Sequence, residues 1–371
     1  MLGFPGTKLS AELADLLAHG LAGVAIYPRN FRDAAELRRL TRAIRQAAAR
    51  PVLIGIDQEG GTKFSLGEPF TPWPSPADLG RLFDRSPDLS LVDPIIEKIA
   101  RAMARELRAA GVNLNFAPML DLAINPHSPV TSGRSFGRDP QRVAQMGCAF
   151  LRGFHAEGVL ACAKHFPGHG DAAVDPHLHL PRFDGTRERL LHHELIPFAA
   201  AIQAGVPLIM TAHILLPRID PIWPASLSRQ LLKDILRGQL AFDGVVLADD
   251  LGMGAIAQTY SNGESAVKTL QAGADIAMLC HDWSAVAPAI EAVAQALFGN
   301  APSVGADIAY AASGRAQKQK LDARLAAQSR VRLEHLRQRL LELEKNAPPP
   351  LELIGCADHR ALAAEIRALI D

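Results

Sequence analysis

Short, nearly uninterrupted apolar runs recur along the chain, and longer stretches with helical periodicity lie between them. The runs fall at 2–4, 23–28, 51–57, 112–120, 159–165, 207–213, 244–249 and 274–280. Helical periodicity follows at 34–49, 94–110, 140–157, 188–204, 228–240 and 263–272. Asp93 and Pro94 form a start signal for the second of these helices, with Asp93 as N-cap and Pro94 at the first helical position. Continuous apolar runs, unlike alternating ones, mark strands covered on both faces, as in a parallel sheet. Repeated strand–helix units define the α/β class. Eight units within residues 1–300 suit a closed (β/α)8 barrel of the TIM type, which takes ~250 residues. An open doubly wound sheet is the alternative, but no G-x-G-x-x-G follows an early strand.

Several predicted strands end on polar or ionisable residues: Asp57-Gln58-Glu59, Asp121, Lys164-His165, His213 and Asp249-Asp250. In a barrel such ends converge on one mouth, where catalytic groups sit. Beyond residue 300 the pattern changes. Residues 315–345 hold nine Lys/Arg and four Asp/Glu, with Leu333, Leu336, Leu340 and Leu343 at helical spacing. This predicts a C-terminal helical extension, 301–371, whose apolar stripe packs on the barrel or on a second subunit. A last short helix is expected at 357–369, after Pro348-Pro349-Pro350.

Composition narrows the function classes. Lys+Arg and Asp+Glu number 39 each, so a nucleic-acid or anionic-membrane partner held by charge is not expected. No run is long and apolar enough to suggest a membrane span. No secretory leader is visible, and the four cysteines lie far apart without a C-x-x-C pair, so free thiols and a cytoplasmic location are expected.

Seven of the thirteen histidines fall between His155 and His193, around Lys164-His165-Phe166-Pro167-Gly168-His169-Gly170-Asp171 and Asp175-Pro176-His177. No H-x-x-x-H or H-E-x-x-H pair on a helix is present, since Pro167 and Gly168 separate His165 from His169, so no metal and no cofactor are expected. Asp175 lies two residues before His177. In an extended loop the two face the same way, and the carboxylate can fix the imidazole tautomer for general acid–base work. The strand 244–249 carries Asp249 and Asp250 into the same mouth, a platform for a carboxylate nucleophile. Successive strand residues point oppositely, so one of the two faces the centre, and the spacing leaves open which.

Over about residues 1–300 these motifs resemble glycoside hydrolase family 3, specifically its single-domain β-N-acetylglucosaminidases of the NagZ type. The resemblance rests on Asp57-Gln58-Glu59-Gly60-Gly61, Asn115 to Asp121, Gly133-Arg134-Ser135-Phe136, the K-H-F-P-G-H-G-D loop with its D-P-H, and A-D-D-L-G-M. It implies a retaining, two-step exo-β-N-acetylhexosaminidase that removes terminal N-acetylglucosamine, as from peptidoglycan fragments. Asp249 would be the nucleophile, and His177 with Asp175 the acid–base dyad. Asp57, Arg134, Lys164 and His165 would hold the sugar. The expected partner is a small carbohydrate, and the chain a monomer or a homodimer through its C-terminal helices. One position departs from the type: where it continues Arg-Val-x-Arg-Phe, this chain has Thr62-Lys63-Phe64-Ser65-Leu66, with Ser65 in place of a sugar-contacting arginine. The alternatives are a β-glycosidase of different sugar preference or a non-catalytic sugar-binding homologue, which Ser65 suggests, and a glycoside phosphorylase, since a neutral imidazole base repels an anionic acceptor less than a carboxylate does.

Overall fold

The computed structural model describes residues 1–62, 66–85, 89–299 and 321–370. Lys63 and Ser65, and with them the departure from the family pattern, lie outside those residues, as does the predicted boundary at 300–301.

Eight strands run β1 Leu2–Gly3, β2 Gly23–Ile26, β3 Leu53–Ile56, β4 Leu114–Asn115, β5 Leu160–Phe166, β6 Leu208–Thr211, β7 Val245–Asp250 and β8 Ile276–Met278. They pair in sequence order, every pair parallel. The ends join where Leu2 bridges Leu279: Gly3 N–H donates to the Leu279 carbonyl at 2.8 Å, and Leu279 N–H to that of Met1 at 3.1 Å. Helices cover the outside, so the chain folds as the expected (β/α)8 barrel.

The apolar runs are continuous because both strand faces are covered. Alternate residues divide between two cores. Leu53, Leu114, Phe116, Leu160, Cys162, Leu208, Met210, Val245, Leu247 and Ile276 fill the barrel interior. Val24, Ile26, Ile54, Ile56, Ala161, Ile209 and Val246 face the helices. Gly55 is on the inward face of β3, where a Cβ would come within 2.4 Å of the Phe116 ring. Glycine at this position lets Phe116 fill the barrel.

Two predicted boundaries need correction. The helix expected to start at Pro94 spans Leu89–Ala109 and carries Pro94 inside it. Asp93 is no N-cap: its carboxylate pairs with Arg152 of the neighbouring helix at 3.2 Å. Proline forfeits one hydrogen bond near a helix start, and the extra N-terminal turn buries Val92. The run at 112–120 contributes only Leu114–Asn115 to the ladder, plus a bridge from Met119 to Lys164. Pro118, between them, has no N–H to donate.

The helix Ala323–Glu344 closes the end of the barrel opposite the strand C-termini. Leu336 and Leu340 join the interior core and, with Leu333, sit over Ala22, Pro51 and Leu53 at the strand starts. Arg332 grips Asp275, just before β8, through two hydrogen bonds of 2.7 and 2.9 Å. The leucine stripe is thus covered within the chain. The last helix, Ala357–Ile370, docks through His359, whose Nδ1–H donates to buried Glu106 at 2.8 Å.

Candidate active site

The strand C-termini surround a cavity of about 390 Å³ lined by Asp57, Arg134, Lys164, His165, Asp175, His177 and Asp249. All seven residues singled out from the sequence are brought together here.

Strand parity explains several of them. On β7, Val245 and Leu247 point inward, and Asp249 continues that face to become the acid at the centre, partly exposed into the cavity. On β5, Lys164 continues the inward face of Leu160 and Cys162. His165, the next residue, also lines the cavity, across a cis Lys164–His165 peptide.

Asp250 serves the backbone instead. Its Oδ1 accepts from Gly252 N–H and Cys280 N–H, both at 3.0 Å, while its own N–H donates to Asp249 Oδ1 at 2.8 Å. Burial, then the Asp249 charge, push the Asp250 carboxyl above the usual range. Burial would raise Asp249 as well, but His165, His213, the Asp250 N–H and Lys164 outweigh it and hold Asp249 below its ordinary value. One acid is therefore kept ionised, as a nucleophile requires.

Asp57 and Lys164 meet at 2.5 Å. Behind them, Glu59 accepts from Lys164 Nζ at 2.6 Å and from Arg134 Nε and Nη2 at 2.8 and 2.7 Å. Burial opposes the Glu59 charge, but the two cations bring its pKa down to about 2. His165 Nδ1–H donates to buried Asp121 at 2.7 Å, and Asp121 also accepts the His169 N–H at 2.7 Å. That bond fixes the His165 tautomer and turns its other nitrogen toward the cavity.

The loop after β5 carries the remaining pair. His177 Nδ1–H donates to Asp175 Oδ1 at 2.7 Å, which leaves Nε2 as the nitrogen available to a substrate. The same carboxylate oxygen takes the His177 N–H at 2.9 Å, so one acid fixes both backbone and ring. Burial would raise Asp175, yet its bonds from His177 lower it below the ordinary value. Both side chains are about half exposed, at the cavity edge.

Sequence reasoning passed over part of this arrangement. Glu59, Asp121 and His213 were visible as strand-end polar residues but carried no assigned task. Each proves to be a buried partner of a group nearer the centre. Tyr27 and His281, with rings 5.4 Å apart, form another wall of the cavity. Neither stood out in the sequence: Tyr27 lies within the apolar run 23–28, and His281 lies outside the histidine-rich segment. Among the described residues, no group of three or more His, Cys, Asp or Glu is placed to hold a metal ion, and no helix is long and apolar enough to cross a membrane.

Residues 1–307 match the glycosyl hydrolase family 3 N-terminal domain. The chain is 39% identical over 285 residues to a beta-hexosaminidase of Stenotrophomonas maltophilia, an alignment covering 76% of this chain and 83% of the relative. A beta-hexosaminidase of Xanthomonas campestris is 38% identical over 309 residues, 82% of this chain and 91% of the relative. Among solved structures, a family 3 beta-N-acetylglucosaminidase from a Paenibacillus species superposes with a TM-score of 0.86 at 35% identity, over 99% of this chain and 66% of that one. NagZ of Neisseria gonorrhoeae in complex with N-trifluoroacetyl-D-glucosamine gives 0.78 at 27% identity, over 100% and 97%. The beta-glucoside phosphorylase BglX bound to 2FGlc gives 0.81 at 26%, over 98% and 62%.

Proposed function

The chain belongs to glycosyl hydrolase family 3, and on that premise we propose that it is a retaining exo-β-N-acetylhexosaminidase releasing terminal β-linked N-acetylglucosamine, with peptidoglycan fragments as its source. One observation carries the reading. An ionised inward-facing acid, Asp249, and a carboxylate-held imidazole, His177, line the same cavity. The relatives named beta-hexosaminidase support the choice of sugar.

In the first step the Asp249 carboxylate bonds to the anomeric carbon while the bond to the leaving oxygen breaks. His177, as imidazolium, gives its Nε2 proton to that oxygen and is left neutral, with Nδ1–H still held by Asp175. In the second step Nε2 takes a proton from water as the water oxygen attacks the anomeric carbon and expels Asp249. An Asp-held histidine thus fills the place that a second carboxyl takes in most retaining glycosidases. Asp57, Arg134, Lys164 and His165 hold the sugar. Asp57 accepts from hydroxyls, and the cations donate to hydroxyl and N-acyl oxygens. The four free cysteines fit the cytoplasmic location expected from the sequence.

The test is turnover of an aryl β-N-acetylglucosaminide. The reading requires Asp249→Ala to abolish it, and near-normal activity in that variant would overturn the assignment. A second reading, phosphorolysis, is favoured by the same imidazole, because a neutral base repels an incoming phosphate less than a carboxylate does. Added phosphate then yields sugar 1-phosphate in place of free sugar.

A further inference from the structure

The loop that carries His177 is bound to the chain segment that leaves the Asp249 strand. Gly254 N–H donates to the His177 carbonyl at 3.0 Å, and Ala255 N–H to that of Pro176 at 3.0 Å. Gln258 Nε2–H donates to the Leu178 carbonyl at 2.6 Å. All three donors come from the short helix Gly254–Ala257 or the residue after it, which begins four residues beyond β7. The carbonyls of 176, 177 and 178 are consecutive, so the contact grips the backbone on both sides of the imidazole.

Gly254 is what permits the approach. A Cβ there would come within 2.6 Å of the His177 carbonyl oxygen and 2.9 Å of that of Leu178. Both are backbone atoms that cannot swing aside. Below the contact, Met253 N–H donates to the Asp250 carbonyl at 3.0 Å, tying the same segment to the residue beside Asp249. An unbroken series of hydrogen bonds thus runs from the acid strand to the backbone of the imidazole. The half-exposed dyad has little packing of its own to fix its distance from the cavity centre.

We propose that Gly254 and Gln258 are positioning residues that set the reach of His177 toward the leaving oxygen by clamping its loop to the exit of the Asp249 strand. The inference rests on the reading of His177 as general acid–base. Proton transfer demands hydrogen-bond reach, so a small displacement of the imidazole costs the proton-transfer steps and spares those that need no proton.

Leaving-group dependence tests it. A 2,4-dinitrophenyl β-N-acetylglucosaminide departs without a proton, whereas a 4-methoxyphenyl one needs it. For Gln258→Glu, which removes the donor at constant size, kcat/KM on the methoxyphenyl substrate is expected to fall about tenfold or more, while that on the dinitrophenyl substrate changes less than about twofold. On the dinitrophenyl substrate kcat and KM should fall together, because water activation slows and the glycosyl-enzyme accumulates. Gly254→Ala should show the same split, and Gln258→Lys, which restores a donor, should recover most of the loss. His177→Ala is the reference. If it shows the split and Gln258→Glu does not, the clamp is refuted and the acid–base reading stands. If His177→Ala loses both substrates equally, it is the acid–base reading that fails. A Gln258→Glu variant that loses both substrates equally has a general structural fault, and that result also refutes the clamp.

Discussion

The Lys164 ammonium lies 2.6 Å from the Glu59 carboxylate, and both groups are buried at the base of the cavity. Glu59 also holds Arg134 through two hydrogen bonds. Two of the sugar-facing cations therefore share one buried counter-ion. Removing that ion takes one buried carboxylate from each cation and leaves Asp57, at 2.5 Å, as the carboxylate beside Lys164. Glu59→Gln is expected to destabilise the fold by about 3–5 kcal/mol and to raise KM for the N-acetylglucosaminide. Chemical denaturation and steady-state kinetics of the variant check the two effects.

The same residue gives a pH dependence with a definite sign. The Glu59 pKa falls from an ordinary 4.5 to about 2 on folding. A carboxyl depressed in the folded state contributes stability that is fully present above its unfolded pKa. That contribution is lost as the pH falls through 4.5 toward about 2. The melting temperature of the wild-type chain should therefore drop on acidification through this window. In Glu59→Gln the drop should be smaller.

Asp175 is expected to matter through the His177 tautomer. With Asp175→Asn the amide can donate to Nδ1, which favours the tautomer protonated on Nε2 and disfavours the imidazolium. The predicted loss in kcat is about 100-fold or more, with little change in stability, because the pair is half exposed. Steady-state kinetics alongside a thermal melt separates the two quantities.

His213 and Ser226 form a support beneath the acid strand. His213 Nε2–H donates to the Asp250 carbonyl at 2.9 Å, and its Nδ1 accepts from the Ser226 hydroxyl at 2.8 Å. Burial lowers the imidazole pKa. His213→Ala should lower kcat by misplacing Asp249 and should cost about 1–3 kcal/mol of stability through the ring's lost bonds to the Asp250 carbonyl and the buried Ser226 hydroxyl.

The barrel was legible in the sequence because parallel strands buried on both faces leave continuous apolar runs, and eight of them appear in order. The candidate site was legible because five strands end in polar residues and one loop gathers histidines held by proline and glycine. The choice between Asp249 and Asp250 was open in the strand spacing, and only the family resemblance pointed to Asp249. It follows from the inward parity of Val245 and Leu247, which is fixed only when β7 takes its register in the barrel. The tasks of Glu59 and Asp121 were hidden for a related reason: their partners come from other strands and loops, Arg134 and Lys164 for one, His165 and His169 for the other. Pro94 misled because a proline just after an aspartate reads as a helix start, whereas Asp93 reaches across to Arg152.

The C-terminal helix should contribute to stability and leave catalysis untouched. Leu340 is 1% exposed and belongs to the barrel interior core. Leu340→Ala is predicted to cost about 2–5 kcal/mol, with kcat per folded molecule unchanged, since the leucine is at the end of the barrel opposite the cavity. A urea titration with parallel activity measurements checks both halves of the statement.

The central claim is that Asp249 bonds covalently to the sugar. A 5-fluoro or 2-deoxy-2-fluoro glycosyl donor slows release of the glycosyl-enzyme, and digestion followed by peptide mass mapping locates the bound sugar. The account predicts a single label on the peptide containing Asp249 and Asp250, placed on Asp249 by fragmentation and lost in Asp249→Ala. A label on Asp250 or on any other carboxylate, or turnover of the donor with inversion and no labelled peptide, would contradict it.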